Sequence, residues 1–114
     1  MGQYYKLVNE TKKEVVESYD IGGTAKLLEW LANNQARVLV WLLWQSDEGG
    51  GGDVNQPERF PTLGRWAGDA ITLVGDYDSS KLYQKSDEYL NISLQLRKEY
   101  NQAMSDERLD KFEL

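Results

Sequence analysis

The residues best suited to chemistry fall in two short groups, Arg65-Trp66-Ala67-Gly68-Asp69 and Asp76-Tyr77-Asp78-Ser79-Ser80, on either side of an apolar run. In the first group a guanidinium, an indole, a permissive glycine and a carboxylate occur within a few residues, a set able to hold a planar or phosphorylated ligand by stacking and charge. The same set suits a β-bulge or corner, with Gly68 at positive φ, Trp66 plugging the core and Arg65 paired with Asp69 outside. In the second group the oxygen-bearing residues Asp76, Asp78 and Ser80 alternate like the opening of a calcium loop, with Asp87 at the closing position. Lys81 stands where such a loop needs glycine, and a strand rather than a helix leads in. The segment therefore predicts turn chemistry, with Asp78 and Ser79 bonding nearby backbone amides, and no metal site. Arg65, Trp66, Asp69, Asp76, Tyr77 and Asp78 are the ligand-binding candidates; no catalytic residue and no cofactor is assigned.

What positions these groups is the run Ala70, Ile71, Leu73 and Val74, a β-type strand punctuated by Gly68 and Gly75. Its ends lie roughly 20 Å apart at the usual rise per residue, so Asp69 and Asp76 cannot share a site unless the chain bends. Asp76 and Asp78 share a face, yet no partner base or cationic clamp accompanies them. The chain has no His and no Cys, which removes histidine bases, thiolate nucleophiles, disulfides and the usual zinc and iron–sulfur ligands. The balance leans away from an enzyme.

The other segments supply the frame. Tyr4 to Val8 and Glu14 to Ser18 predict a β-hairpin across the polar turn Asn9 to Lys13, with Tyr5, Leu7, Val15 and Val16 inward. Thr24 is placed to cap a helix running to about residue 34, its leucines Leu27, Leu28 and Leu31 turned to the sheet beside Trp30. Arg37 to Trp44, apolar on both alternating sets, predicts a central strand. Gly49 to Gly52 with the polar residues after them predict a flexible loop over about residues 46–58, and no phosphate-loop signature follows the glycines. Residues 89–92 read as extended, followed by a helix capped by Asn91 or Ser93 and running to about Met104; Leu109 and Phe112 are spaced to dock on the body.

Nineteen acidic against thirteen basic residues leave a net charge of −6 over 114 residues. Such a surface repels nucleic-acid and anionic-lipid phosphates and favours encounter with basic partners. The longest apolar run is too short to span a bilayer, and the first residues lack the apolar core of a signal peptide, so a cytoplasmic protein without membrane contact is expected.

The opening MGQYYKLVN, Gly23 with Lys26-Leu27, GRWAGD, GDYD and the Tyr89/Asn91-Ile92-Ser93 cluster resemble a family of small, uncharacterised prokaryotic and phage-associated proteins, many of which begin MGQYY or MGQYW and carry a WAGD…GDY segment. The resemblance covers most of the chain outside the glycine loop. It implies a role in fold or site for residues 66–69 and 75–77, and brings no activity with it.

Together these readings predict one α+β domain over residues 1–114: a mainly antiparallel sheet, made by the hairpin and the strands at 37–44 and 70–74, covered by helices near 24–34 and 93–104. The function they favour is a small acidic, non-enzymatic interaction protein, an inhibitor or immunity-type module that binds a basic protein. The alternative is a small-ligand or metal-dependent nucleotide-handling protein using Arg65, Trp66, Asp76 and Asp78.

Overall fold

The computed structural model describes residues 2–107. The N-terminal alternation produces the hairpin expected of it: β1 (Tyr5–Asn9) pairs antiparallel with β2 (Glu14–Val16), Leu7 opposite Val16 and Val8 opposite Val15. Its turn is tied by Asn9 Oδ1, which accepts the Lys12 N–H at 2.9 Å, and by Lys13 at φ 58. The apolar run after Gly68 forms β3 (Ile71–Gly75), antiparallel to β1 with Leu7 opposite Leu73. A fourth strand, β4 (Leu90–Asn91), lies parallel to β2, so the sheet order is β3-β1-β2-β4 and the sheet is mixed.

Alternating residues of the hairpin feed two cores. Leu7 and Val16 face the larger one, built from Trp30, Trp41, Leu42, Phe60, Trp66 and α4 (Ser93–Asp106), while Val8, Val15 and Val74 face α3 (Leu82–Lys85) through Leu82. The four inward residues expected of the hairpin are therefore shared between opposite faces. The extended stretch before α4 and the helix itself follow the sequence expectation, but the N-cap is Ile92, without a side-chain cap bond, and not Asn91 or Ser93. Asn91 Oδ1 accepts the Ser93 N–H at 2.9 Å, and Leu96, Tyr100 and Ala103 turn inward at helical spacing. Leu109 and Phe112 lie outside the described residues.

The segment Arg37 to Trp44 corrects the expectation: it is helix α2 (Arg37–Leu43), not a central strand. Val38, Trp41 and Leu42 are buried at helical spacing, whereas Val40 is 77% exposed although apolar. An apolar residue on the solvent face erased the polar contrast that would have marked a helix. Its last carbonyls are satisfied from a distant segment. Trp41 C=O accepts the Gly64 N–H at 2.8 Å and Leu42 C=O the Trp66 N–H at 2.9 Å. Trp41 is further fixed by edge-on contacts with Phe60 and Tyr100 and by its Nε1–H, which donates to Thr62 Oγ1 at 3.0 Å.

Helix α1 (Leu27–Ala32) is shorter than expected and turned the other way. Thr24 is not its N-cap; Lys26 is, its N–H donating to Glu29 Oε1 at 3.1 Å. Trp30 is buried and its Nε1–H reaches the Tyr5 carbonyl at 3.3 Å, while Leu28 is 75% exposed and Leu27 and Leu31 also face outward. One indole docked on β1 thus outweighs three leucines in setting the helix's rotation. The glycine segment makes the expected excursion, without helix or strand from Gln45 to Gln56, and closes in a 3-10 turn at Pro57–Arg59.

Candidate functional site

The group 65–69 is a clamp on the hairpin. Arg65 does not pair with Asp69, as the sequence suggested, but with Glu14 of β2: its Nε donates to Glu14 Oε1 at 2.9 Å and its Nη2 to Oε2 at 2.5 Å. Trp66 is fully buried, and its Nε1–H donates to the same carboxylate at 2.8 Å. Burial works to raise the Glu14 pKa, but the hydrogen bonds from Arg65 and Trp66, with the charges of Arg65 and Lys12, outweigh it and leave the carboxyl below its ordinary value. Arg65 is shifted the other way, upward, chiefly by its hydrogen bonds to Glu14.

Asp69 closes the same clamp one turn further on. Its Oδ2 accepts from Lys12 Nζ at 2.5 Å and from Asn9 Nδ2 at 2.8 Å, which lowers its pKa. The Glu10 N–H donates to the Ala70 carbonyl and the Ala70 N–H to Thr11 Oγ1, both at 3.0 Å. Gly68 has the positive φ expected of it, 78°. Gly64 is the more constrained of the two: at φ 73 it lies so close to α2 that a Cβ there would stand 2.3 Å from the Trp44 carbonyl oxygen.

The group 76–80 sits at the other end of β3. Asp76 Oδ1 accepts the Tyr4 N–H at 3.0 Å, and the Tyr77 hydroxyl donates to the Gly2 carbonyl at 3.3 Å. Asp78 accepts from both the hydroxyl and the N–H of Ser80, bonds that lower its pKa. This is turn chemistry. Lys81, however, adopts φ 62, so lysine at that position does not prevent the turn as expected; it accepts the left-handed conformation. What departs from a calcium loop is the direction of the carboxylates, one turned to β1's lead-in and one to its own turn.

Two features escaped the sequence reading. Lys6 is buried beneath α3, its Nζ 2.7 Å from Asp87 Oδ1, 3.8 Å from Glu17 Oε1 and 4.2 Å from the centre of the Tyr83 ring. Burial raises the Tyr83 pKa, and Asp76, Glu17 and Asp87 push it further. Glu17 and Asp20 are bridged by Asn91 Nδ2, at 3.3 and 2.9 Å. These carboxylates make one acidic surface from Asp20 past Tyr83 to Asp76. Alternation along β1 places Lys6 on the face of Val8, the only signal that it lies inside.

The second feature is a groove of about 480 Å³ along β3, lined among others by Glu10, Thr72, Leu73, Val74, Gly75 and Asp78. Consecutive strand residues point to opposite faces, so a groove lined by four in a row wraps the strand's edge. Tyr77 and Asp78 share this groove, whereas Arg65 and Trp66 stand at the hairpin clamp. The six sequence candidates are thus divided between two places. Among the described residues no group of three or more carboxylates is arranged to hold a metal ion, and no helix is long and apolar enough to cross a membrane.

Comparison of the chain with protein-family models, curated proteins and solved structures finds no match.

Proposed function

We propose that this protein is a non-enzymatic interaction module of the inhibitor or immunity type, which binds a basic protein partner through its acidic surface. The observation that carries the reading is the gathering of Glu17, Asp20 and Asp87 around Lys6 and Asn91. Glu17 and Asp87 both close on the single Lys6 ammonium, and Asn91 bridges Glu17 to Asp20, so the carboxylates there outnumber the cation they surround. A surface that remains negative beside its own buried cation attracts positive charge at long range. Lys12 is paired with Asp69, Arg59 with Asp106 and Arg65 with Glu14, one acid for each cation, so the excess of six acids stays with the remaining carboxylates. A cytoplasmic location, and kinship with the small prokaryotic and phage-associated proteins that the chain resembles, belong to the same proposal.

No observation favours the small-ligand alternative. The Arg65 guanidinium and the Trp66 indole are engaged by Glu14, and both stand apart from Asp76 and Asp78. Titration with decalysine tests the proposal by calorimetry and amide NMR. Saturable binding that weakens steeply with salt, with shifts centred on the surface from Asp20 to Asp76, is expected. Absence of binding at low salt, or binding indifferent to both salt and the Asp20→Lys substitution, would overturn it.

A further inference from the structure

We propose that the open edge of β3 is the docking line for an extended, basic segment of the partner, which adds to the sheet as a fifth strand. The inference rests on the reading that the partner is basic and names how it binds. Hydrogen bonds between Glu10 and Ala70 at one end, and between Tyr4 and Asp76 at the other, fix the phase of the β1–β3 ladder. With the register Leu7 to Leu73, Thr72 and Val74 direct their N–H and C=O groups to β1. Ile71, Leu73 and Gly75 direct theirs away from it, and Leu73 and Gly75 line the groove. Among the described residues β3 is an edge strand of the sheet, and Ile71-Thr72-Leu73-Val74-Gly75 has no lysine, no proline and no bulge to guard that edge.

Charge decides the occupant. The groove is lined by Glu10 beside one end of the strand and Asp78 beside the other, and by no Lys or Arg. Asp78 is held ionised by the Ser80 hydrogen bonds. An added strand with a cation near each end meets both carboxylates while its backbone pairs with Ile71 and Leu73; the span, five residues, is roughly 17 Å. A second copy of this chain fits poorly. Antiparallel pairing of two β3 edges would bring Glu10 of each copy toward Asp78 of the other, between chains that each carry −6.

The test uses the peptide acetyl-Lys-Thr-Val-Thr-Val-Lys-amide, the same peptide N-methylated at every residue, and decalysine, each titrated into the whole chain. Expected are saturable binding of the first peptide, slowed amide exchange at Ile71 and Leu73, and a loss of about tenfold or more in affinity on N-methylation, because strand addition depends on backbone donors. Glu10→Lys, at an exposed residue, should weaken binding with the melting temperature unchanged. Equal affinity of the N-methylated peptide overturns strand addition. Binding of the first peptide that shifts Glu17, Asp20 and Asp87 without protecting Ile71 and Leu73 overturns the docking line and leaves the acidic-surface reading standing. Failure of all three probes to bind at low salt overturns both. Protection of Ile71 and Leu73 that rises with protein concentration alone assigns the edge to a second copy and overturns the proposal.

Discussion

Removing Arg65 should expose how unevenly the Glu14–Arg65 pair shares its burial. The Glu14 side chain is 2% exposed and that of Arg65 38%. Arg65→Ala strands a carboxylate inside, with only Trp66 Nε1–H left donating to it. The carboxylate can escape that position by taking up a proton, so the charge component of the penalty is capped at about 3.7 kcal/mol at pH 7 for a group whose ordinary pKa is about 4.3. The cap falls to about 1 kcal/mol at pH 5. Glu14→Gln leaves a guanidinium that reaches water and an amide oxygen that still accepts from Trp66, and should cost about 1–2 kcal/mol with little pH dependence. In the wild type the Glu14 pKa is lowered, so its stabilisation is fully present above the unfolded value and is lost only as pH falls through the folded one. In Arg65→Ala burial is no longer opposed by the guanidinium and should raise the folded pKa instead, so stability should fall as pH rises from 5 to 7, by no more than about 1.4 kcal/mol per pH unit. Urea denaturation followed by tryptophan fluorescence at pH 5, 6 and 7 reads all three proteins. A cost for Arg65→Ala that is the same at pH 5 and pH 7, or a Glu14→Gln variant less stable than Arg65→Ala at pH 7, would refute the reasoning.

Three further outcomes are expected. Gly64→Ala forces a Cβ to 2.3 Å from the Trp44 carbonyl and should cost more than about 2 kcal/mol, whereas Gly68→Ala, with nothing within 4 Å, should cost only the backbone penalty of about 1 kcal/mol; equal losses on urea denaturation would contradict this. Deleting Gly51 and Gly52, whose surroundings are open, should move the melting temperature by no more than about 2 °C, since loop-closure entropy changes slowly with length; a larger drop would show that the loop packs against the body. Trp30→Ala should cost about 3–5 kcal/mol while Leu28→Glu stays within about 0.5 kcal/mol, and the reverse order would mean that α1 faces the sheet through its leucines.

The sequence by itself determined what a single solvent boundary could encode. The β-type residues of Tyr5 to Val8 and the apolar run Ile71 to Val74 between its glycines report strands, and the spacing Leu96, Tyr100, Ala103 reports α4, whose two sides differ in burial. The absence of His and Cys, the acidic balance and the positive φ at Gly68 were equally legible. The tertiary structure alone decided the rest. Segment 37–44 is a helix whose end is completed by Gly64 and Trp66, more than twenty residues away in sequence, and its exposed Val40 hides the helical period. Arg65 chose Glu14, 51 positions away, over Asp69, four positions away, because the hairpin register carries the Glu14 carboxylate to the Trp66 indole and leaves Asp69 to Asn9 and Lys12. The groove on β3 exists because β4 joined the far side of β2 and left Ile71 and Leu73 at the border of the sheet. Local periodicity records which side of a segment meets water; the partner of a charge, and the strand left at an edge, follow from contacts between segments that sequence spacing does not contain.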